Sequence, residues 1–192
     1  MIFYPNQFYH VYNRSINREL VFKVDDNYYY FIRKIKDLKH YDLTILAYCL
    51  MPTHFHLLIH IDDTFEANQK LQLKIGSILS SYTKAVNKAL ERHGSLFQAG
   101  TKAKLISEND SNANSYAEIC FHYIHQNPLK AGLVDDLNKW KFSSYPDYAG
   151  IRSGNLPDIK MGYRMFDFSG TNDFIKKSNQ SIDKQILSRI YV

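Results

Sequence analysis

Residues 42–60, DLTILAYCLMPTHFHLLIH, contain two apolar runs separated by a Met-Pro-Thr break. Short runs of this kind, bounded by turn-forming residues, are typical of β-strands. The second run also alternates between polar and apolar residues at its start, and its histidines stand at positions 54, 56 and 60. We therefore predict two consecutive strands, and they constrain the fold more than any other segment does.

The remaining periodic segments surround this strand pair. Residues 7–13 predict a strand, and residues 25–41 predict a helix that Asp25 or Asp26 can cap. Residues 64–92 carry a long helical pattern, residues 93–107 an extended segment, and residues 116–127 a helix stopped by Pro128. This order favours an α+β fold, a ferredoxin-like antiparallel sheet with helices packed mainly on one face.

Residues 151–192 are less regular than the segments before them. They contain only short apolar pieces, and residues 181–192, SIDKQILSRIYV, are compatible with a terminal helix. We therefore divide the chain into a domain over 1–150 and a C-terminal extension over 151–192. The extension could cap the sheet, lie over the site or mediate pairing.

Composition favours a cytoplasmic protein with a polyanionic partner. The 192 residues carry a net charge of +5, and 15 tyrosines and 12 phenylalanines could form an aromatic core or stack on bases. The two cysteines, Cys49 and Cys120, lie in apolar segments and suggest no disulfide framework. We expect no membrane partner, since no run approaches the roughly 20 apolar residues of a membrane helix, and we find no signal-peptide pattern.

The histidines of the second run would lie on one face of their strand. His54, His56 and His60 share that face with Leu58, and the opposite face is apolar. The side chains of His54 and His56 would stand roughly 6–7 Å apart, close enough to ligate one divalent ion. The pattern alone favours a structural role, however, and we expect His60 to be structural.

A second candidate group lies on the helix before Pro128. Tyr123 and Asn127 are four residues apart and so share a helical face. The spacing by itself favours a core aromatic and a helix-terminal asparagine. The alternative is a nucleophilic phenol, which preserves the energy of a cleaved phosphodiester as a phosphotyrosine ester, with the Asn127 amide as a nearby metal ligand.

Several segments together resemble a known family. MPTHFHLLIH resembles the HUH motif of the single-tyrosine transposases, and FHYIHQNPLKAGLV is similar to their tyrosine helix. FYHVYNRSINRELVF, GSLFQAGTKAKLI and WKFSSYPDY resemble segments of the REP-associated tyrosine transposases. These matches keep their order over roughly residues 5–150, which the resemblance makes the catalytic domain. The sequence departs from the family at Thr53, where asparagine is common, and at residues 99–101.

The resemblance implies an enzyme that cleaves and rejoins single-stranded DNA at hairpin-forming sites. Tyr123 would be the nucleophile and form a 5′-phosphotyrosine, while His54, His56 and Asn127 would hold a divalent ion, Mg²⁺ or Mn²⁺. The phenol, with a pKa near 10, also needs a proton acceptor, and the sequence identifies none besides the metal. The enzyme would be a monomer or a homodimer in which the tyrosine helix serves the partner's site.

The DNA would be held by backbone contacts and by stacking. Arg14 and Arg18 follow the first strand, and Lys102 and Lys104 alternate on the fourth extended segment, so each is a candidate phosphate contact. His10 would lie on a strand beside the histidine pair, where it could support the metal ligands or be structural, and we favour the structural role. Two other functions stay open: a catalytically silent protein that binds hairpin DNA, and a metal-dependent hydrolase that uses water.

Overall fold

A four-stranded antiparallel sheet organises the molecule. The computed structural model describes residues 2–66, 70–106 and 113–183. The sheet has the order β2-β3-β1-β4, and its central strand pair joins the histidine strand to the first strand. The strands are β1 (Phe8–Arg14), β2 (Leu43–Met51), β3 (His54–Ile61) and β4 (Lys102–Leu105).

Six α-helices accompany the sheet in the described ranges. They are α1 (Asp25–Lys36), α2 (Lys70–Ala89), α3 (Ala113–Lys130), α4 (Tyr145–Tyr148), α5 (Ile159–Met165) and α6 (Thr171–Ser178). The chain order from β1 to β4 is strand, helix, strand, strand, helix, strand. With this strand order it is the ferredoxin-like topology, so the predicted fold class is confirmed.

The helices lie on both faces of the sheet rather than mainly on one. The first core joins α1 and α2 to the face that carries Phe55, Leu57 and Ile59. The second core joins α3 and the C-terminal helices to the opposite face, through Leu58 among others. The histidine pattern of β3 does not indicate this second core, because β2 supplies four of its six strand side chains: Leu46, Ala47, Cys49 and Met51.

A bulge in β2 completes the second core. The register of β2 against β3 shifts between Ile45 and Ala47. Leu46 and Ala47 are adjacent in sequence, yet both are fully buried in the second core, while Ile45 and Tyr48 belong to the first. A regular strand would have placed neighbours on opposite faces. The extra residue thus widens the apolar surface on which α3 lies.

The helix α3 continues through Pro128, although the sequence predicted that it would stop there. Proline has no N–H for the carbonyl of Ile124, and the Asn127 side-chain amide donates to that carbonyl at 3.5 Å and to the Tyr123 carbonyl at 2.9 Å. The helix ends two residues later at Lys130, and Gly132 just beyond it has a φ of 67° that suits glycine. There the N–H groups of Gly132 and Leu133 bond back to the carbonyls of Leu129 and Pro128, as in a Schellman motif.

The described part of the C-terminal extension packs against α3. Phe166, Phe168 and Phe174 belong to the same buried cluster as Phe121 of that helix. The sequence did not predict α5 or α6, because each is shorter than nine residues and carries few apolar positions. The predicted terminal helix falls largely on residues 184–192, which lie outside the described residues.

Replacing Phe174 with alanine should destabilise the protein. Phe174 is fully buried and lies within 5.1 Å of Tyr145 and 5.3 Å of Tyr148, measured between ring centroids. A Phe→Ala cavity in such a core costs about 3–5 kcal/mol. Urea denaturation would measure this loss. The control Leu73→Ala, at a side chain that is 68% exposed, should change the free energy of unfolding by less than about 0.5 kcal/mol. Equal effects would contradict integration of residues 151–183 into the core.

Candidate active site

A pocket of about 250 Å³ opens where the ends of β1 and β3 meet the last turns of α3. The sheet supplies one wall and the helix supplies the other. The lining brings together four of the side chains predicted from the sequence as catalytic or metal-binding, with the predicted DNA contact Arg14. It comprises His10, Tyr12, Asn13, Arg14, Met51, His54, His56, Tyr123, Asn127, Lys130 and Ala131.

The two strand histidines present ring nitrogens that their neighbours leave available. The Nδ1 atom of His54 lies 3.0 Å from the Thr53 hydroxyl, and the two imidazole centroids are 5.0 Å apart. The Nδ1 atom of His56 lies 2.9 Å from Nε2 of His10. Its other nitrogen, Nε2, is buried and makes no hydrogen bond within the described ranges. A buried imidazole nitrogen without a protein partner is a candidate metal ligand.

Burial keeps these histidines neutral. It lowers the pKa of His54 to about 4, assisted by the charge of Arg14, and the pKa of His10 to about 3, assisted by Lys104. The pKa of His56 falls well below its usual value, first through burial and then through the charges of His10, His54 and Arg14. Neutral imidazole is the form that binds metal ions. The pair is therefore in its ligating state at neutral pH.

Tyr123 lies directly over the histidine face. Its side chain is 3% exposed, and its ring meets that of His56 edge-on with 5.7 Å between centroids. The ring of His10 is 6.0 Å away in the same edge-on arrangement. The alternatives for Tyr123 in the sequence were a core aromatic and a nucleophile. The residue is buried in the second core and also lines the pocket.

The side chain of Asn127 is oriented by its own helix. Its nitrogen donates to two helix carbonyls, as described above, so chemistry fixes which end of the amide is the donor. The oxygen Oδ1 takes no part in these two bonds. Asn127 lines the pocket one turn beyond Tyr123. The helix thus holds an oxygen ligand candidate and a phenol on the same side.

The predicted DNA contacts are divided between two places. Arg14 lines the pocket and pairs across the sheet with His54. Lys102 and Lys104 stand opposite Tyr12 and His10 on the edge strand β4, and directly opposed side chains point to the same face. Arg18 is exposed and belongs to a short 3-10 turn, Ile16–Arg18, outside the pocket lining. Three of the four cations therefore share the histidine face.

Lys130, Tyr12 and Asn13 line the pocket but were not predicted as site residues. The Nζ atom of Lys130 lies 5.5 Å from the centroid of the Tyr123 ring. The spacing of seven residues, two helical turns, could have indicated this proximity. Asn13 donates to the Gln98 carbonyl at 3.1 Å and to the Thr101 hydroxyl at 3.0 Å, so it ties β1 to the segment before β4. No local pattern distinguishes Tyr12 or Asn13 from ordinary strand residues.

His60 and His10 were both expected to be structural. His60 lies outside the pocket lining, with Nδ1 3.6 Å from the Asp62 carboxylate and its ring 4.9 Å from that of Phe8. His10 contacts the pocket directly through the hydrogen bond to His56. An outer partner of this kind fixes the tautomer and orientation of a ligating imidazole. His10 is therefore a positioning candidate, the role that the sequence left open beside the structural one.

The side chains of this pocket could supply some of the ligands that a divalent ion needs. His54 and His56 offer two imidazole nitrogens, and Asn127 offers an amide oxygen. No group of three His, Cys, Asp or Glu side chains suited to a metal occurs in the part of the chain that the structure describes. The protein would thus supply three neutral ligands, and the remaining positions would fall to water and a phosphate oxygen.

These features define a class: a ferredoxin-like domain with a strand histidine pair facing a tyrosine on a helix. The family model described as "Transposase IS200 like" matches residues 4–127, and the chain belongs to that family.

Among curated proteins, the "Putative REP-associated tyrosine transposase" of Haemophilus influenzae is 25% identical over 139 residues, covering 64% of this chain and 73% of that protein. A solved structure of a REP-associated tyrosine transposase bound to a REP hairpin superimposes with a TM-score of 0.60. It is 16% identical and covers 81% of this chain and 90% of that one. The comparisons agree with the family resemblance and with the fold. Within the described ranges, no helix is both long and apolar enough to cross a bilayer.

Removing the His56 imidazole should weaken Mn²⁺ binding. We expect His56→Ala to lower the affinity by at least about 10-fold, the loss seen even for outer partners of metal ligands. Titration followed by electron paramagnetic resonance of free Mn²⁺, without DNA, would measure this change. His60→Ala is the matched control from the same face of β3, and it should bind Mn²⁺ within about twofold of the unsubstituted protein. Equal losses in both variants, or no Mn²⁺ bound by the unsubstituted protein, would contradict the assignment.

Proposed function

We propose that this chain cleaves and rejoins single-stranded DNA at hairpin-forming sites through a covalent bond to Tyr123. One observation carries the proposal: the ring of Tyr123 lies against His56 in a pocket that also contains His54 and Asn127. Membership of the IS200-like transposase family supports it, since that family processes DNA. Hairpin DNA as the partner is suggested by the solved REP-associated transposase, which is bound to a REP hairpin.

In the proposed reaction, the Tyr123 oxygen forms a bond to the scissile phosphorus as the bond from phosphorus to the 3′-oxygen breaks. The phenol loses a proton and the departing 3′-oxygen gains one, so the step consumes no water and no nucleotide. A second 3′-hydroxyl reverses the reaction and joins a new partner. A divalent ion, Mg²⁺ or Mn²⁺, held by His54, His56 and Asn127, would supply charge stabilisation at the phosphate.

The chain's own cations contribute to the same end. Lys130 lies beside the Tyr123 ring, and we propose that its ammonium group stabilises the negative charge of the scissile phosphate. Arg14 flanks the pocket from the strand side, opposite His54. The same chain provides both the sheet wall and the helix wall of the pocket. We therefore propose that Tyr123 acts within its own chain, whether the protein is a monomer or a dimer.

Replacing Tyr123 with phenylalanine should abolish a covalent DNA adduct. Single-stranded oligonucleotides that each form a hairpin with unpaired flanks would be incubated with Mg²⁺ or Mn²⁺. The label belongs at the 3′ end, because the 3′ fragment keeps the 5′-phosphotyrosine. A shifted band on a denaturing gel reports the adduct. Tyr116→Phe, on the same helix two turns earlier, is the control and should keep the band.

Each other outcome of this experiment rejects a part of the proposal. An adduct that persists in Tyr123→Phe excludes Tyr123 as the nucleophile. Cleavage that leaves a free 5′-phosphate and no adduct identifies a hydrolase that uses water. Tight hairpin binding with no product in either metal identifies a catalytically silent DNA-binding protein.

Replacing Lys102 with glutamine should reduce the salt dependence of DNA binding. For single strands, each phosphate contact contributes about 0.7 to the slope of log K against log salt concentration. We expect the slope for a thymidine oligonucleotide to fall by about that amount, as measured by fluorescence anisotropy at several salt concentrations. Lys36→Gln, an exposed lysine of α1 on the opposite face of the sheet, should leave the slope unchanged. Identical slopes in the two variants would show that Lys102 does not contact a DNA phosphate.

A further inference from the structure

Tyr12 occupies the centre of the histidine face. In the sheet register it pairs with His56 of β3 on one side and with Lys102 of β4 on the other. Paired side chains lie on the same face of an antiparallel sheet, so the three form a row from the pocket to the sheet edge. The row begins with a proposed metal ligand and ends with an exposed cation. Between them lies the aromatic side chain of Tyr12.

The ring of Tyr12 lies against imidazoles and also borders the pocket. Its centroid is 4.7 Å from that of His10 and 6.1 Å from that of His56, with interplanar angles of 34° and 33°. The His10 and His56 rings are themselves stacked at 25°. Tyr12 is only half-buried and lines the pocket. It is thus the most exposed of three rings that are tilted by 25–34° against one another, and it extends the aromatic surface of His10 and His56 into the pocket.

The hydroxyl of Tyr12 also distinguishes it from two fully buried tyrosines of the cores. Tyr82 donates to the Val21 carbonyl at 2.9 Å, and Tyr148 donates to the Leu46 carbonyl at 2.8 Å. Such a bond is what a tyrosine needs when it serves the core. The Tyr12 hydroxyl makes no hydrogen bond to any residue in the described ranges. Its ring is therefore held by aromatic contacts and its polar end is left to the pocket.

We propose that Tyr12 is a stacking platform for the unpaired base next to the scissile phosphate. This inference rests on the proposed function, because it takes the phosphate to lie between the histidine pair and Tyr123. A base is one sugar away from its phosphate, and Tyr12 is the aromatic side chain beside His56 on the sheet wall. Lys102, next in the row, would then contact the following phosphate. Every base has a π-face, so the site would accept any unpaired nucleotide and discriminate little between bases.

The affinity test separates stacking from other roles of the side chain. The probe is a fluorescent hairpin with a ten-thymidine single-stranded tail, and every protein carries Tyr123→Phe so that no cleavage occurs. Stacking is worth about 1–3 kcal/mol per base, so Tyr12→Leu should weaken binding by about 5- to 150-fold. Tyr12→Phe keeps the ring and should stay within about twofold. Tyr29→Leu, at an exposed tyrosine of α1 against the opposite face, is the matched control and should have no effect.

Photo-cross-linking gives a readout that needs no substitution of Tyr12. Single 5-iododeoxyuridines replace thymidines along the tail, and long-wavelength irradiation joins the iodouracil to an aromatic ring stacked on it. Peptide mass spectrometry should find the cross-link on Tyr12 at one or two adjacent tail positions. An abasic residue at those positions should weaken binding to the Tyr12 protein and change nothing further in Tyr12→Leu. The circular dichroism and thermal unfolding of each variant confirm that it folds.

The outcomes distinguish this inference from the proposed cleavage. Cross-links to Tyr12 without any Tyr123 adduct would uphold the platform and reject the cleavage reaction. A Tyr123 adduct together with unchanged affinity in a folded Tyr12→Leu, or with cross-links only elsewhere, would overturn the platform alone. An equal loss in Tyr12→Phe and Tyr12→Leu would assign the effect to the hydroxyl and so also overturn stacking. No binding of the probe by any variant would overturn both.

Discussion

The packing of α3 on the histidine face of the sheet is the contact on which the pocket depends. Cys120, Phe121 and Ile124 are fully buried in the core that joins this helix to Leu46 and Leu58. Burying a large apolar side chain stabilises the fold by about 1.5–3 kcal/mol. This packing brings Tyr123 and Asn127 over the sheet, although the nearest strand histidine is more than sixty residues away in the chain. Without this packing, the pocket residues of the sheet and those of α3 would not lie close together.

Polar contacts then determine where along the sheet the helix can lie. The Nε2 atom of His125 is 2.6 Å from the Ser144 hydroxyl, which in turn bonds to the backbone of Tyr48 in β2. Gln126 donates to the carbonyls of Ser178 and Gln180 at the end of α6. An apolar surface alone allows sliding, whereas directed hydrogen bonds between buried groups do not. The C-terminal segment therefore helps to hold Tyr123 at its position.

Much of the fold followed from residue patterns, and the exceptions have physical causes. The strand alternation and the long stripe of α2 predicted the four-stranded sheet and its first helical layer. Pro128 misled the prediction, because the Asn127 side chain compensates for the missing backbone donor. The short helices α5 and α6 derive their stability from aromatic contacts with Phe121 and Tyr148, which helical periodicity cannot reveal. The candidate site divides in the same way. His54 with His56, and Tyr123 with Asn127 and Lys130, are visible as spacings, whereas Tyr12 and His10 are not.

By itself, the sequence determined which side chains share a face of the same strand or helix, because the backbone repeat fixes this locally. A period of two placed His54 and His56 on one face of a strand, and a spacing of four placed Tyr123 and Asn127 on one side of a helix. Only the tertiary structure decided that these faces meet, that His10 orients His56, and that Tyr12 lies open in the row between His56 and Lys102. Those contacts join residues distant in the chain, and they depend on how the β2 bulge and the C-terminal aromatic core seat α3 on the sheet.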